Sequence, residues 1–215
     1  MLKFLEDNVD LTRKEREKLF KRFEILNAAI ALFAKNGYEE TRLEDIAEQA
    51  EFGKGTIYNY FETKEDIYLE IIDRVTNDYT KKLKEMDKQS QTLFEFVSLV
   101  TENLIRFVLN DQSAFLMLLR LRTEINAIEK VRNSKVVKYY IKTAKEIFGR
   151  KINESIKKKE IKKINPFYFT LMFRNALFPF LHSVIIQKKN KVTEKELKEA
   201  GNFVITTLFY GISNK

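Results

Sequence analysis

Apolar residues recur at helical spacing along most of the chain, and polar breaks divide the pattern into separate helices. From Thr12, the residues Leu19, Phe23, Leu26, Ile30 and Phe33 keep to one face, and Gly37 after Asn36 supplies a stop. From Thr41, the residues Leu43, Ile46, Ala47 and Ala50 fall at offsets 0, 3, 4 and 7 and predict a short second helix. Only Glu51, Phe52 and Gly53 separate it from a third short helix within FGKGTIYNYF, residues 52–61. Two short helices joined this tightly form a helix-turn-helix. A long helix is predicted from Thr63 to about Lys84, with KEMDKQSQ as its end. Further helices are predicted near 93–109, 112–125, 127–158, 166–187 and 194–212.

The helix starts carry a chemical signature. Thr12/Glu15, Thr41/Glu44, Thr63/Asp66, Thr92/Glu95 and Thr193/Glu196 match the capping box, in which a hydroxyl and a carboxylate satisfy each other's backbone N–H groups. Asn165 before Pro166 marks another start. Two prolines and six glycines are too few for the turns of a sheet protein. The predicted fold is therefore all-α, an N-terminal three-helix bundle with a helix-turn-helix followed by a larger C-terminal helical domain. The expected boundaries are a flexible N-terminal arm over 1–11, a helix-turn-helix domain over 12–62, a connecting helix over 63–88 and the C-terminal domain over 89–215.

With Ile57 facing the bundle, steps of about 100° return Tyr60 and Phe61 to the core and leave Gly55 and Asn59 almost opposite, flanked by Thr56 and Tyr58. The outer face thus offers bare backbone, an amide, a hydroxyl and a phenol, groups that suit a nucleic-acid duplex. Asn59 is matched to adenine N6 and N7, Lys54 to guanine, and Thr56 and Tyr58 to phosphate oxygens. Lys54 stands at the helix N-terminus, where backbone N–H groups favour phosphate. Lys64 opposes the dipole of the next helix, which points to a phosphate rather than an intramolecular partner. A glycine inside a helix costs about 1 kcal/mol relative to alanine, so Gly55 asks for a close approach to another surface. The competing reading is a three-helix bundle whose polar face meets water or another protein.

Charge does not decide between these readings. The net charge is +8, yet residues 1–66 hold 11 Lys and Arg against 15 Asp and Glu. Cysteine is absent, His182 is the single histidine, and no ligand cluster stands out, so metal, disulfide and hydrolytic chemistry lack their parts. Tyr60-x-x-x-Lys64 has the spacing used by proton-transferring dehydrogenases, but no glycine-rich dinucleotide loop accompanies it, and it is read as chance. The chain is expected to be no enzyme and to carry no cofactor. Acidic residues at 6, 7 and 10 interrupt any signal-peptide core, and a cytoplasmic location is expected. Residues 167–186 are long enough to span a bilayer, but Arg174 alone would cost about 2.5–3.5 kcal/mol at its centre. Asn175, Pro179 and His182 add to that, so a buried helix and no membrane association are expected.

The segment GYEETRLEDIAEQAEFGKGTIYNYFETKEDIY resembles the N-terminal signature of TetR-family transcriptional regulators through Gly37, Tyr38, Thr41, Asp45, Ile46, Ala47, Ala50, Gly55, Thr56, Tyr58, Tyr60, Phe61, Lys64 and Glu65. The resemblance implies an all-helical homodimer with an N-terminal DNA-binding domain and a C-terminal domain that binds a small effector and carries the dimer interface. It further implies that effector binding moves the recognition helices apart and releases the operator. Three positions depart from the family pattern. Glu51 stands where glycine is usual, Gly53 replaces the serine cap, and Arg42 replaces a threonine, exchanging a hydroxyl contact to phosphate for a charged one. Gly53 is expected to take the positive φ of the turn and to serve as cap. The partners expected are a palindromic double-stranded operator and a hydrophobic or amphipathic effector of unknown identity.

Twelve of the 18 phenylalanines lie beyond residue 90. Most read as core, but an apolar cavity with a few polar groups is what a ligand site needs. Phe115, Phe173, Arg174 and His182 are its candidates, with Arg174 meeting an anionic group. In the last helix Leu197, Ala200, Val204, Leu208 and Gly211 form one stripe, and the preceding helix is apolar nearly all round, including Phe178 and Leu181. Two such helices from each subunit predict a four-helix bundle as the dimer interface.

Overall fold

The structure, a computed structural model, describes residues 11–124, 128–189 and 191–212. Apart from Leu11, the expected arm lies outside the described residues. Among them the chain forms ten α-helices: α1 (Arg13–Asn36), α2 (Leu43–Gln49), α3 (Lys54–Tyr58), α4 (Lys64–Gln89), α5 (Leu93–Asn110), α6 (Gln112–Glu124), α7 (Glu129–Asn133), α8 (Lys135–Lys157), α9 (Pro166–Gln187) and α10 (Glu194–Ile212).

The caps explain most of these starts. Thr12 N–H donates to Glu15 at 2.9 Å, and Glu15 N–H donates back to the Thr12 hydroxyl at 3.3 Å. Thr63/Asp66, Thr92/Glu95 and Thr193/Glu196 repeat the exchange. Asn165 Oδ1 accepts from Phe167 N–H at 2.9 Å, with Pro166 in the first turn. Each such cap stabilises its helix by about 1 kcal/mol. Thr41 is the exception to the expected series. Its buried hydroxyl donates to the Gly37 carbonyl at 2.7 Å, and the cap passes to Arg42, whose N–H donates to Asp45 at 3.0 Å. Gly37 ends α1 with φ of 85°, where a side chain would be strained.

Two boundaries differ from the sequence pattern. α4 continues past Lys84 because Leu83 and Met86 keep a buried stripe through the polar run, and it stops at Ser90, whose hydroxyl donates to the Met86 carbonyl at 2.8 Å. The single helix expected over 127–158 is broken at Ser134, where ψ is 128° and the hydroxyl donates to Asp73 at 2.5 Å. Neither proline nor glycine marks that break.

The chain divides into two compact units, Met1–Val75 with Asn110–Ser134, and Thr76–Leu109 with Lys135–Lys215. The first unit thus draws in residues 110–134, which a boundary at 89 assigns elsewhere. Its core gathers Ile25, Leu26, Ala29, Ile30, Phe33, Ile46, Ile57, Phe61, Tyr68 and Phe115. α1 packs on α2 and α6, and Phe33, Tyr38 and Tyr68 meet at centroid distances of 4.9–5.9 Å. α7 is tied to α4 by Lys130, whose Nζ donates to Asp66 at 2.6 Å and whose N–H donates to Glu65 at 3.1 Å.

In the second unit α9 packs on α8 and α10. Its rings run Phe96–Phe148–Phe173–Phe169–Phe209–Phe94, with successive centroids 4.9–6.5 Å apart. A Cβ on Gly201 would stand 2.6 Å from Thr101, so a bare backbone lets α10 approach α5. Lys151 is buried, and its ammonium donates to the Ser90 carbonyl at 2.5 Å. Buried without that acceptor and the Asp87 carboxylate 3.5 Å away, the charge would destabilise the unit.

Among the described residues α9 is long and apolar enough to cross a membrane, and 28% of its most apolar stretch is buried. The expectation of a buried helix therefore holds for one stripe only: Phe169, Phe173, Leu177, Leu181 and Ile185, spaced by four. The expected dimer stripe needs correction for the same geometric reason. Leu181, Leu197, Ala200 and Val204 are buried inside their own unit, because the large residues of that stripe fill the unit's own core. Phe178 and Leu208 are half-buried, and Gly211 is exposed. The outer side carries Met172, Phe180 and Ile186 on α9 and Phe203 and Tyr210 on α10, with the Phe180 and Phe203 rings stacked at 5.7 Å.

The α9–α10 corner is held by Glu196. Lys188 Nζ donates to it at 2.6 Å, and this bond, with the N–H and hydroxyl of Thr193, holds its carboxyl at about 2, below its usual 4.5. A carboxylate lowered on folding stabilises above its unfolded pKa and loses that effect as pH falls through the folded one. Glu196→Gln should therefore lower the unfolding temperature near neutral pH. The penalty should shrink as pH falls from 4.5 toward about 2; a penalty constant over that range in thermal melts rejects the assignment.

Candidate nucleic-acid interface

The turn between α2 and α3 is built by backbone bonds. Phe52 N–H donates to the Ala47 carbonyl at 2.9 Å and Glu51 N–H to the Glu48 carbonyl at 3.0 Å, the paired closure of a Schellman motif. That motif needs one left-handed residue, and here it is Glu51, with φ of 58°. Gly53, expected to take that role, instead has φ of −65° and ψ of 151° and acts as the cap of α3. The left-handed conformation costs a non-glycine residue roughly 1–2 kcal/mol. The turn therefore keeps its shape at Glu51's expense.

α3 is five residues long. It is too short for a developed macrodipole, so the attraction of Lys54 for an anion rests on its own ammonium and not on the helix end. Ile57 is 1% exposed and Phe61 is buried, which turns the opposite side outward. Lys54, Gly55 and Asn59 are exposed, Tyr58 is 53% exposed, and Thr56 is half-buried. Asn59 follows the last helical residue but keeps right-handed backbone angles, so it stays in register with Gly55. Arg42 is exposed at the start of α2. Four predicted side chains thus lie on the outward side of α3 and its cap, and the fifth, Arg42, at the start of α2. Apart from its two chain neighbours and the helix's own backbone, nothing among the described residues lies within 4 Å of where a Cβ on Gly55 would stand, so packing among them gives no reason for that glycine.

Lys64 is the correction. Its ammonium donates to the carbonyls of Tyr38, Glu39 and Thr41 at 2.7, 3.0 and 3.0 Å and lies 4.4 Å from the Tyr38 ring centre. An ammonium has three donors, and all three are directed at the α1–α2 turn. Lys64 is a tie between α4 and that turn, and the dipole argument failed because it ignored carbonyls brought in from elsewhere. Burial, then Glu65, Glu39 and Asp66, push the Tyr38 phenol up to about 12, so it stays neutral beneath the lysine.

Sequence reasoning missed Arg22. Its guanidinium donates to the Tyr60 carbonyl at 3.0 Å, pairs with Glu70 through Nε at 3.0 Å, and lies 4.2 Å from the Phe61 ring centre. Arg74 also pairs with Glu70. The signal was present: Arg22 stands four residues before Leu26, in line with an apolar stripe where a cation must find partners.

The ligand candidates divide between the two units. Phe115 is buried in the first unit, whereas Phe173, Arg174 and His182 belong to the second. Phe173 is buried among rings, His182 is half-buried, and Arg174 is exposed instead of lining an apolar interior. Arg174 lies close enough to lower the Tyr140 phenol slightly against the dominant upward push of burial.

Gly55 separates folding from binding. Gly55→Ala should raise thermal stability by up to about 1 kcal/mol through helix propensity while weakening duplex affinity in a gel-shift titration. Affinity that is unchanged or improved would remove the close-approach argument.

Comparison with known proteins agrees with this geometry. Residues 25–71 match the family described as "Bacterial regulatory proteins, tetR family". The fatty acid metabolism regulator protein of Bacillus subtilis is 26% identical over 201 residues, covering 93% of this chain and all of that one. The structure of the Bacillus subtilis transcriptional regulator FadR in complex with stearoyl-CoA has a TM-score of 0.65 at 23% identity, covering 88% of this chain and 98% of that one. FadR from Bacillus halodurans has a TM-score of 0.70 at 19% identity, covering 89% and 95%. With its helix-turn-helix, its outward α3 surface and these likenesses, the chain carries over residues 25–71 the DNA-binding domain of TetR-family transcriptional regulators.

Proposed function

We propose that this protein is a cytoplasmic repressor that binds a palindromic operator as a two-fold dimer and is released by a long-chain acyl thioester. The similarity to a fatty acid metabolism regulator over nearly the whole chain, the second unit included, carries this reading. A helix-turn-helix match alone would say nothing of the effector, whereas this likeness runs through the helices that build the effector domain. The second unit's row of six rings supports an apolar acyl chain among them, and exposed Arg174 suits the anionic headgroup at the surface. At α3, Asn59 and Lys54 read bases while Thr56 and Tyr58, with Arg42 at the start of α2, hold phosphates.

The dimer surface is the outer side of α9 and α10, centred on Phe180 and Phe203. Phe203 is 61% exposed and stacks on Phe180, so the pair presents apolar area that a second copy would remove from water. A two-fold pairing there would hold two recognition helices on half-sites about 34–36 Å apart, or a multiple of that. Phe203→Glu should give a folded monomer by sedimentation and circular dichroism, with operator binding lost. A variant that remains dimeric overturns the assignment.

The effector is tested by titrating acyl-CoA thioesters of increasing chain length into the protein–operator complex. Stearoyl-CoA should weaken operator affinity by about 5–150-fold, the usual range of coupling between two sites, and acetyl-CoA should have no effect. Release by acetyl-CoA alone, or by none of the series, rejects the acyl reading and leaves the DNA-binding reading standing.

A further inference from the structure

The helix-turn-helix is poor in the charge that DNA binding demands. Residues 37–66 hold three basic residues, Arg42, Lys54 and Lys64, against nine acidic ones, Glu39, Glu40, Glu44, Asp45, Glu48, Glu51, Glu62, Glu65 and Asp66. Lys64 is already engaged by three carbonyls. Most of the affinity for duplex DNA comes from cations that displace counterions from phosphates, so a net acidic reading head needs cations close by.

The start of α1 supplies them. α1 has 24 residues, but its buried positions begin only at Ile25, so residues 13–24, about 18 Å of helix, carry no buried side chain. Residues 13–22 contain six basic residues and two acidic ones. Both acids are occupied, Glu15 by the Thr12 cap and Glu17 by Arg13 at 3.1 Å. Among the described residues, exposed Lys14, Arg16, Lys18 and Lys21 have no acidic partner.

The overhang is also aimed. Lys14, Lys18 and Arg22 follow one another at intervals of four, and Lys21 lies beside them, so they share one side of the helix. Arg22 meets the Tyr60 carbonyl, directly after the exposed Tyr58 and Asn59. Lys18 and Lys14 stand one and two turns further out, about 6 and 12 Å along the axis. The side of α1 that touches the end of the recognition helix therefore carries lysines beyond that contact.

We propose that Lys14 and Lys18 of α1 hold the DNA backbone outside the base pairs read by α3, with Lys21 beside them. This rests on the DNA-binding reading and adds to it a second binding region of different chemistry. An ammonium is a point charge that meets phosphate without regard to sequence. The overhang therefore contributes affinity and salt dependence, while α3 contributes the choice of operator.

The test compares wild type with Lys14→Ala/Lys18→Ala on a duplex that the wild-type protein recovers from a random-sequence pool, over a salt series. The slope of log affinity against log salt should fall by about 0.9 for each phosphate that is no longer neutralised, so by about 3.6 when a dimer is deprived of both lysines in each subunit. Discrimination between that duplex and a scrambled one should not change. Lys14→Arg/Lys18→Arg should keep the wild-type slope, and thermal unfolding should match wild type in both variants. An unchanged slope in the alanine variant overturns the proposal and leaves the regulator reading intact. A wild-type protein that recovers no duplex and shows no salt-dependent binding overturns the regulator reading, and the proposal with it.

Discussion

A helix of five residues does not persist in water by itself, because nucleation fixes several dihedrals for very few hydrogen bonds. Everything α3 offers to a duplex depends on Ile57 and Phe61 being buried beneath it. Arg22 completes that anchorage, since it binds the carbonyl just past the helix and lies against the Phe61 ring in one geometry. The recognition surface is thus a property of α1 and α4 as much as of the residues displayed on it. Its orientation is set by packing, and its chemistry by what packing leaves outside.

The second unit shows the same division of a helix into two faces. α9 is apolar nearly all round, yet its buried positions form a single stripe spaced by four. What remains outside, Phe167, Met172, Phe180 and Ile186 among it, is apolar surface that a helix facing water does not usually carry. α10 repeats this with Leu197, Ala200 and Val204 inside and Phe203 and Tyr210 outside. A surplus of apolar residues in a sequence announces that two surfaces must be covered. It does not say which residues cover which.

That limit describes what was legible in the sequence as a whole. The helices, four of the five threonine–carboxylate caps and the Asn165 cap could be read because they depend on residues three or four apart. The outward set on α3 was legible for the same reason, a step of 100° per residue from one buried isoleucine. The failures came from partners distant in sequence. Lys64 meets carbonyls 23–26 residues away, Ser134 meets Asp73, and Arg22 meets Glu70 and Tyr60. Thr41 was misassigned because its hydroxyl had a nearer acceptor in Gly37 than the helix it precedes. Local chemistry proposes, and long-range partners can redirect each side chain that has a donor to give.

Lys64 also bears on how mutagenesis of such a protein is interpreted. Removing its ammonium would take a donor from three carbonyls and loosen the corner from which α2 departs. A loosened corner lowers operator affinity on its own account, so an alanine scan at Lys64 does not separate that loss from the loss of a phosphate contact. Arginine would not rescue it, because donors spread over a plane do not match three carbonyls grouped around a single nitrogen. At this position, counterion stoichiometry tells a strut from a contact.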